Sequence, residues 1–254
     1  MNQIELDIMK SMVSILNEAS QAHHNAKPIM TDEQFAIRSN DLVHLEAETG
    51  VVLLNSPNCI VDVQSIVNTL ETKEDRLKEC RDIKDIIEFS NQKELLAYVD
   101  VNGLDMIVTY TNGKIESIQI ASMSDAVLDS VFAVGIPYCS PEIVNCSIKG
   151  KLVVIDSPVF YATEVVEGGH NTLKDNLSVA KNLGFNVVPN WSFLTLNPKS
   201  FQNSVDYIFE CAEEDNIPCN GIVFKMNDIE CGKMLRVMSA YDGIIIKRKG
   251  DSSQ

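Results

Sequence analysis

The chain has 254 residues, 45% of them apolar, with 36 acidic against 21 basic side chains and a formal charge of −15. That is enough chain for one large core or two unequal ones. Such an acidic surface repels phosphate backbones, so weak or no DNA binding is expected of this chain alone, with a role shared with another chain left open. No run of 18 apolar residues occurs, and Glu5, Asp7 and Glu18 interrupt the first twenty positions, so neither a membrane span nor a signal peptide is expected and the place is read as cytoplasmic. The seven cysteines are an odd number. They form no C-x-x-C pair and no zinc-ligand spacing, which predicts reduced, structural thiols and no metal site.

Along the chain, Ile4, Ile8, Met12, Ile15, Leu16 and Ala19 recur at spacings of three and four, predicting an amphipathic helix over residues 4–22. Thr31 with Gln34 three positions later forms a capping-box signature, and the helix it opens is stopped at Gly50. Together these predict a helical hairpin domain over residues 1–62. "NSPNCIVDVQ" reads as a loop, and the charged stretch 71–94 as a linker with one or two short helices. From Tyr98 the pattern changes to short runs rich in β-branched residues: "YVDVNG", "LDMIVTYTNGKIESIQIA", "KLVVIDSPVF", "GFNVVP", "NGIVFKMN" and "DGIIIKRK". These predict a mostly antiparallel sheet region from Tyr98 on, within a second domain over residues 63–254. Asn112-Gly113 is a hairpin turn signal, because both central positions of a type I′ turn take positive φ. Helices are expected near 172–183 and 199–215, the second with Ile208, Cys211 and Ala212 on one face.

The order of these pieces resembles one known family. "HHNAKPIMTDEQF" through "LEAETG" to "NSP" is similar to the small amino-terminal domain with which bacterial NAD-dependent DNA ligases grip the nicotinamide mononucleotide (NMN) half of NAD. "LGFNVVPNW", "IPCNGIVFKMNDIECGK" and "DGIIIKRKGD" resemble that family's nucleotidyltransferase domain. The resemblance is collinear over roughly residues 4–250 and stops just past the last adenylation motif. It implies an α+β fold: a helical NMN-binding-like domain, then a trimmed nucleotidyltransferase (ATP-grasp-like, DNA ligase adenylation) domain with antiparallel sheets.

In that family a lysine of a K-x-D-G corner attacks the adenylyl phosphorus, forming lysyl-AMP. Aligning Gly103 with the motif glycine places Asp100 at the lysine and Asn102 at the aspartate. A carboxylate there forms no stable phosphoramidate and repels a pyrophosphate. No arginine occurs between Lys114 and Lys149, where the family's T-R-G-D-G segment belongs. The glutamate of its G-E strand falls near Asp156 or Ser157, and a later D-G becomes Asn220-Gly221. In the NMN-binding part a tyrosine pair becomes His23 and His24, and a further tyrosine and its neighbouring aspartate become Phe35 and Ala36, whereas Asp32 is kept. Lys225 and Lys247 match lysines that approach phosphates in the family. The resemblance thus leaves no catalytic residue in place, and names His23, His24, Asp32, Asn220, Lys225 and Lys247 as nucleotide-contact candidates.

Each candidate also has a plain structural reading. His23 and His24 suit a helix C-terminus and Asp32 a helix N-terminus through the helix dipole. Lys247 with Arg248 and Lys249 reads equally as a solvated strand end. Trp191 and Phe193, and Met106, Met226 and Met234, read as core; Glu210, Glu213, Glu214 and Asp215 read as a solvated helix face. The expectation is a pseudoenzyme that acts by binding or inhibiting a protein partner, in a compact form suited to a phage acting on a host protein. The alternatives are one adenylation subunit of a split NAD-dependent ligase, and a binder or sensor of NAD or NMN.

Overall fold

The computed structural model describes residues 3–59, 66–70, 76–80, 82–143, 145–154, 158–167, 169–194 and 198–247. Helix α1 spans Gln3–His24 and α2 spans Asp32–Thr49. The start of α2 is fixed by a reciprocal cap: the Gln34 N–H donates to the Thr31 hydroxyl at 3.2 Å, and the Thr31 N–H donates to the Gln34 side chain at 3.0 Å. Its end is fixed by Gly50 at φ +69°, a left-handed conformation that costs glycine least. The two helices share a small core of Leu6, Met9, Val13 and Leu16 with Leu42, Val51 and Leu53. The buried face of α1 is therefore rotated from the expected one, and Ile4 and Ile8 are exposed. Both stripes obey helical spacing, so periodicity alone does not choose between them.

Two sheets follow. The larger runs in the order β1 (Val52–Leu53), β7 (Pro137–Cys139), β6 (Lys114–Ile120), β5 (Leu104–Thr111), β8 (Cys146–Val153), β9 (Val159–Glu167), β10 (Asn186–Val187), with β2 (Val67–Thr69) paired parallel to β6. The smaller runs β11 (Asn190–Phe193), β4 (Leu95–Val101), β12 (Cys219–Met226), β13 (Gly243–Lys247), β3 (Leu77–Cys80). Most pairings are antiparallel, as the strand pattern predicts; β9 with β10 and β13 with β3 are also parallel. Asn112 and Gly113 take φ +52° and +79° in the β5–β6 hairpin, as their turn type requires. The stretch 71–94 differs from expectation, since its described part holds a strand, β3, as well as one helix, α3 (Ile83–Ser90).

Helices α4 (Asp125–Ala133), α5 (Leu173–Asn182), α6 (Pro198–Glu214) and α7 (Ile229–Met238) complete the described elements. α6 covers one face of the small sheet, where Phe201, Val205, Ile208 and Ala212 pack on Val99, Ile222 and Phe224, while α5 lies against β9 and β10 of the large sheet and adds Leu177 to the same core. The large sheet has its own core of Met106, Val108, Tyr110, Ile118, Ile148 and Phe160. The helical segment is tied to this large sheet in three ways. β1 pairs with β7, the Lys10 ammonium donates to the Gly184 carbonyl at 2.8 Å, and the Asn17 amide donates to the Asn55 carbonyl at 2.8 Å. Burial of Lys10 lowers its pKa.

Candidate functional site

The chain passes from the small sheet to the large one at Asn102 and Gly103, between β4 and β5. The corner is thus a sheet crossing, with β4 paired to β11 and β12 and β5 to β6 and β8. Gly103 is needed for close approach: a Cβ there would lie 2.7 Å from the Leu152 carbonyl oxygen. The Asn102 N–H donates to the Pro218 carbonyl at 2.7 Å while its side chain faces solvent.

The open face of the small sheet turns towards the large sheet and encloses a cleft of ≈ 880 Å³. Tyr98 and Asp100 come from β4, Val223 from β12, Asp105 and Ile107 from β5, Lys149 and Lys151 from β8, and Glu164 from β9. The Lys151 ammonium lies 2.9 Å from the Asp105 carboxylate. At the far end, Arg236 of α7 pairs with Asp242 at 3.0 Å and accepts at its carbonyl from the Arg76 guanidinium at 2.7 Å. The Asp242 N–H closes this loop by donating to the Arg76 carbonyl at 2.9 Å, while its Oδ1 is buried without a hydrogen-bond partner among the described residues.

Glu164, Val166, Arg236 and Asp242 also border a smaller cavity of ≈ 340 Å³ walled by α7 and residues 169–171. Lys225 projects into it from β12, is buried, and lies 4.0 Å from the Glu164 carboxylate. Among the described residues the main cleft is lined by four cations, Arg76, Lys149, Lys151 and Arg236, and by four carboxylates, Asp100, Asp105, Glu164 and Asp242. These formal charges cancel. No group of three or more His, Cys, Asp or Glu among the described residues is arranged to hold a metal ion.

The other sequence candidates are scattered. His23 and Asp32 approach to 3.9 Å and border a surface hollow with Pro28 and Gln34, but His24 does not line it. Asn220 is exposed at an irregularity of β12, next to the Gly221 that pairs with Asp100. Lys247 lies on β13 with its ammonium 3.1 Å from Glu79, and lines neither cavity. Asp156, Ser157, Arg248 and Lys249 lie outside the described residues. Two packing expectations are corrected. Trp191 is half exposed, standing edge-on to Tyr207 at 5.9 Å, and Met234 is exposed, whereas Phe193, Met106 and Met226 are core. Trp191 shares its strand face with Phe193, two positions on, but packs only edge-on against Tyr207 of α6, so much of its ring is left uncovered.

Seven charged lining residues were not singled out by sequence: Arg76, Asp105, Lys149, Lys151, Glu164, Arg236 and Asp242. The alternation of Lys149 and Lys151 about Gly150 is the one local signal, since it puts both on one strand face. The thiols lie apart from this chemistry; burial pushes Cys59 up to about 11 and Cys80 up to about 12, the behaviour of inert structural cysteines.

Comparison with known proteins places the similarities of this chain among polynucleotide ligases. No family model matches it. It is 21% identical over 285 aligned residues to a DNA ligase of Ruminiclostridium cellulolyticum, covering 91% of this chain and 43% of that ligase. The chain therefore spans less than half the length of the curated relative it matches. Among solved structures it is similar to a Naegleria gruberi RNA ligase variant with ATP and Mn, at 12% identity and a TM-score of 0.41 over 74% of this chain and 62% of that one. It is similar also to a mycobacterial DNA ligase D complexed with ATP and MES, at 12% identity and a TM-score of 0.35 over the same shares, 74% and 62%. At such scores the overlays carry no residue correspondence.

Proposed function

We propose that this chain is a ligase-like nucleotidyltransferase scaffold that forms no lysyl-adenylate and acts by binding a protein partner. The observation that supports this most directly is Asp100. It lines the cleft at the position where the family resemblance puts the nucleophilic lysine. A carboxylate cannot supply the amine that makes a phosphoramidate, and it raises the electrostatic cost of bringing a phosphate to the same point.

A second position supports the same reading. Gly150 and Lys151 lie on the strand that pairs with the start of β5, and a Cβ at Gly150 would fall 2.2 Å from the Tyr161 carbonyl, so this glycine is sterically required. In this reading "KGK" takes the place of the family's G-E strand, in preference to Asp156 or Ser157, and a lysine stands for the glutamate. Lysine to aspartate at one wall and glutamate to lysine at the other is a reciprocal charge inversion. With the lining charges cancelled, the cleft offers no net positive cradle for the pyrophosphate of NAD.

Intact-protein mass spectrometry after incubation with NAD, or with ATP and a divalent cation, tests the reading; the expected result is an unchanged mass, and an adenylate adduct overturns it. The same measurement with a partner chain present removes or establishes the split-ligase alternative. The volume of the cleft favours one second reading, a binder of NAD or NMN without chemistry. Calorimetric titration with each decides it, and absence of both heat and thermal stabilisation leaves the protein-binding reading alone.

A further inference from the structure

The turn that leads into β4 is held against the start of α7. Asn91 and Gln92 take φ +44° and +63°, and the Lys93 N–H closes the turn by donating to the Ser90 carbonyl at 2.8 Å. Glu94, next in the chain, is joined twice to Asn227: the Asn227 N–H donates to the Glu94 carbonyl at 3.0 Å, and the Asn227 amide donates to the Glu94 carboxylate at 2.9 Å. Asn227 precedes Asp228, which caps α7 and holds Cys231 by accepting its N–H at 2.7 Å. Between these fixed backbones the exposed Lys93 ammonium donates to the Cys231 sulfur at 2.8 Å. That is as close as an N–H group stands to oxygen, although sulfur is the larger atom.

We infer that Lys93 and Cys231 form an oxidation-sensitive pair, which hydrogen peroxide converts to a covalent sulfur–nitrogen cross-link. The seven thiols differ in what they meet. Burial raises the pKa of Cys59, Cys80 and Cys146. Cys139 and Cys219 donate to the carbonyls of Gly50 and Gly221 at 3.8 and 3.2 Å, and Cys211 bonds to the Tyr207 side chain. Cys231 accepts from an ammonium and bonds to a carboxylate: its N–H, and after it its thiol, lower the Asp228 pKa. Its sulfur thus stands between a group that takes the thiol's hydrogen bond and a group that balances the charge of a thiolate, the form that reacts with peroxides.

The chemistry closes with one peroxide. The Cys231 sulfur attacks one peroxide oxygen, so an S–O bond forms, the O–O bond breaks, and the departing hydroxide takes the thiol's proton to become water. Sulfur is oxidised to the sulfenic acid and the peroxide is reduced. Lys93 then gives a proton to the hydroxyl leaving the sulfur, and the lone pair so freed forms the S–N bond, with a second water and one proton released. The bond ties the first turn of α7 to the turn before β4. Glu230 and Gly232, on either side of Cys231, line the smaller cavity, so the cross-link stiffens that wall. The inference does not depend on what the cleft binds.

The test treats the full chain with hydrogen peroxide at about 100 µM, stops the reaction with catalase, and reads intact mass and tryptic peptides without reductant. The expected product is lighter by about 2 Da, has the Lys93 and Cys231 peptides joined with no cleavage after Lys93, and returns to the parent with dithiothreitol. Lys93→Arg keeps a cation at an exposed position but forms no such bond, and its Cys231 is expected to run on to the sulfinic acid, heavier by about 32 Da. Cys231→Ser is expected to give neither product. Oxidation of Cys231 that leaves cleavage after Lys93 intact, oxidation of another cysteine ahead of Cys231, or a joined product that persists in Lys93→Arg, each overturns the inference.

Discussion

Asp105 and Lys151 stand directly opposite each other on β5 and β8 and are joined by a 2.9 Å ion pair, both side chains about one-quarter exposed. The pair joins two of the strands that form the large-sheet wall of the cleft. Lys151→Glu places two carboxylates at one cross-strand site and is expected to destabilise the fold by about 1 kcal/mol. The swapped double variant, Asp105→Lys with Lys151→Glu, is expected to recover to within about 0.5 kcal/mol of the parent. Urea unfolding of the three proteins checks both statements.

Asp100→Lys returns an amine to the corner but leaves Lys151 on the large-sheet wall of the same cleft. Two ammonium groups then face one cleft, and no glutamate stands where the family resemblance requires one. The expected outcome after incubation with NAD or ATP is no adenylate adduct by intact mass. Adduct formation in this variant alone would confine the loss of activity to one side chain.

Gly103→Ala drives a Cβ to 2.7 Å from the Leu152 carbonyl, a backbone atom that cannot swing aside. A loss of about 2 kcal/mol is expected. Asn102→Ala keeps the backbone bond to Pro218 and removes only an exposed side chain, so a change within about 0.5 kcal/mol is expected. Chemical denaturation of the two variants separates the structural role of the glycine from that of its neighbour.

Asp228 caps α7, accepting the Cys231 N–H at 2.7 Å, and this bond lowers its carboxyl pKa from the ordinary 3.8. A depressed folded-state pKa means that the stabilisation is complete above 3.8 and is lost as pH falls through the lowered value. Asp228→Ala is expected to lower Tm at neutral pH, with the difference from the parent shrinking as pH drops below 3.8. Thermal melts across the acid range read it directly.

Local rules carried most of the fold. The Thr31–Gln34 cap, the stop at Gly50 and the Asn112-Gly113 turn are each set by residues within a few positions, so they were legible in the sequence. α4 and α7 were not. α4 is short, and α7 carries Gly232 at its centre and apolar residues on two faces, which blurs a single amphipathic stripe. The face of α1 was undetermined for the same reason. At the site, Asp100 was legible through its corner, and Lys225 through its strand. Arg76, Arg236 and Asp242 were not, because they meet only when β3, α7 and β13 come together, and no sequence spacing encodes that meeting.

The two sheets are joined by two very short connections, Asn102–Gly103 between β4 and β5, and Val188–Pro189 between β10 and β11. A further tie stands where the Leu173 N–H at the start of α5 donates to the Asn227 carbonyl at 2.8 Å and the Ile229 N–H at the start of α7 donates to the Asn171 carbonyl at 3.0 Å. Main-chain bonds thus join the elements behind the two sheets as well as the chain connections do. The spacing of the cleft walls is built into the backbone, and a ligand or partner meets a gap of set width.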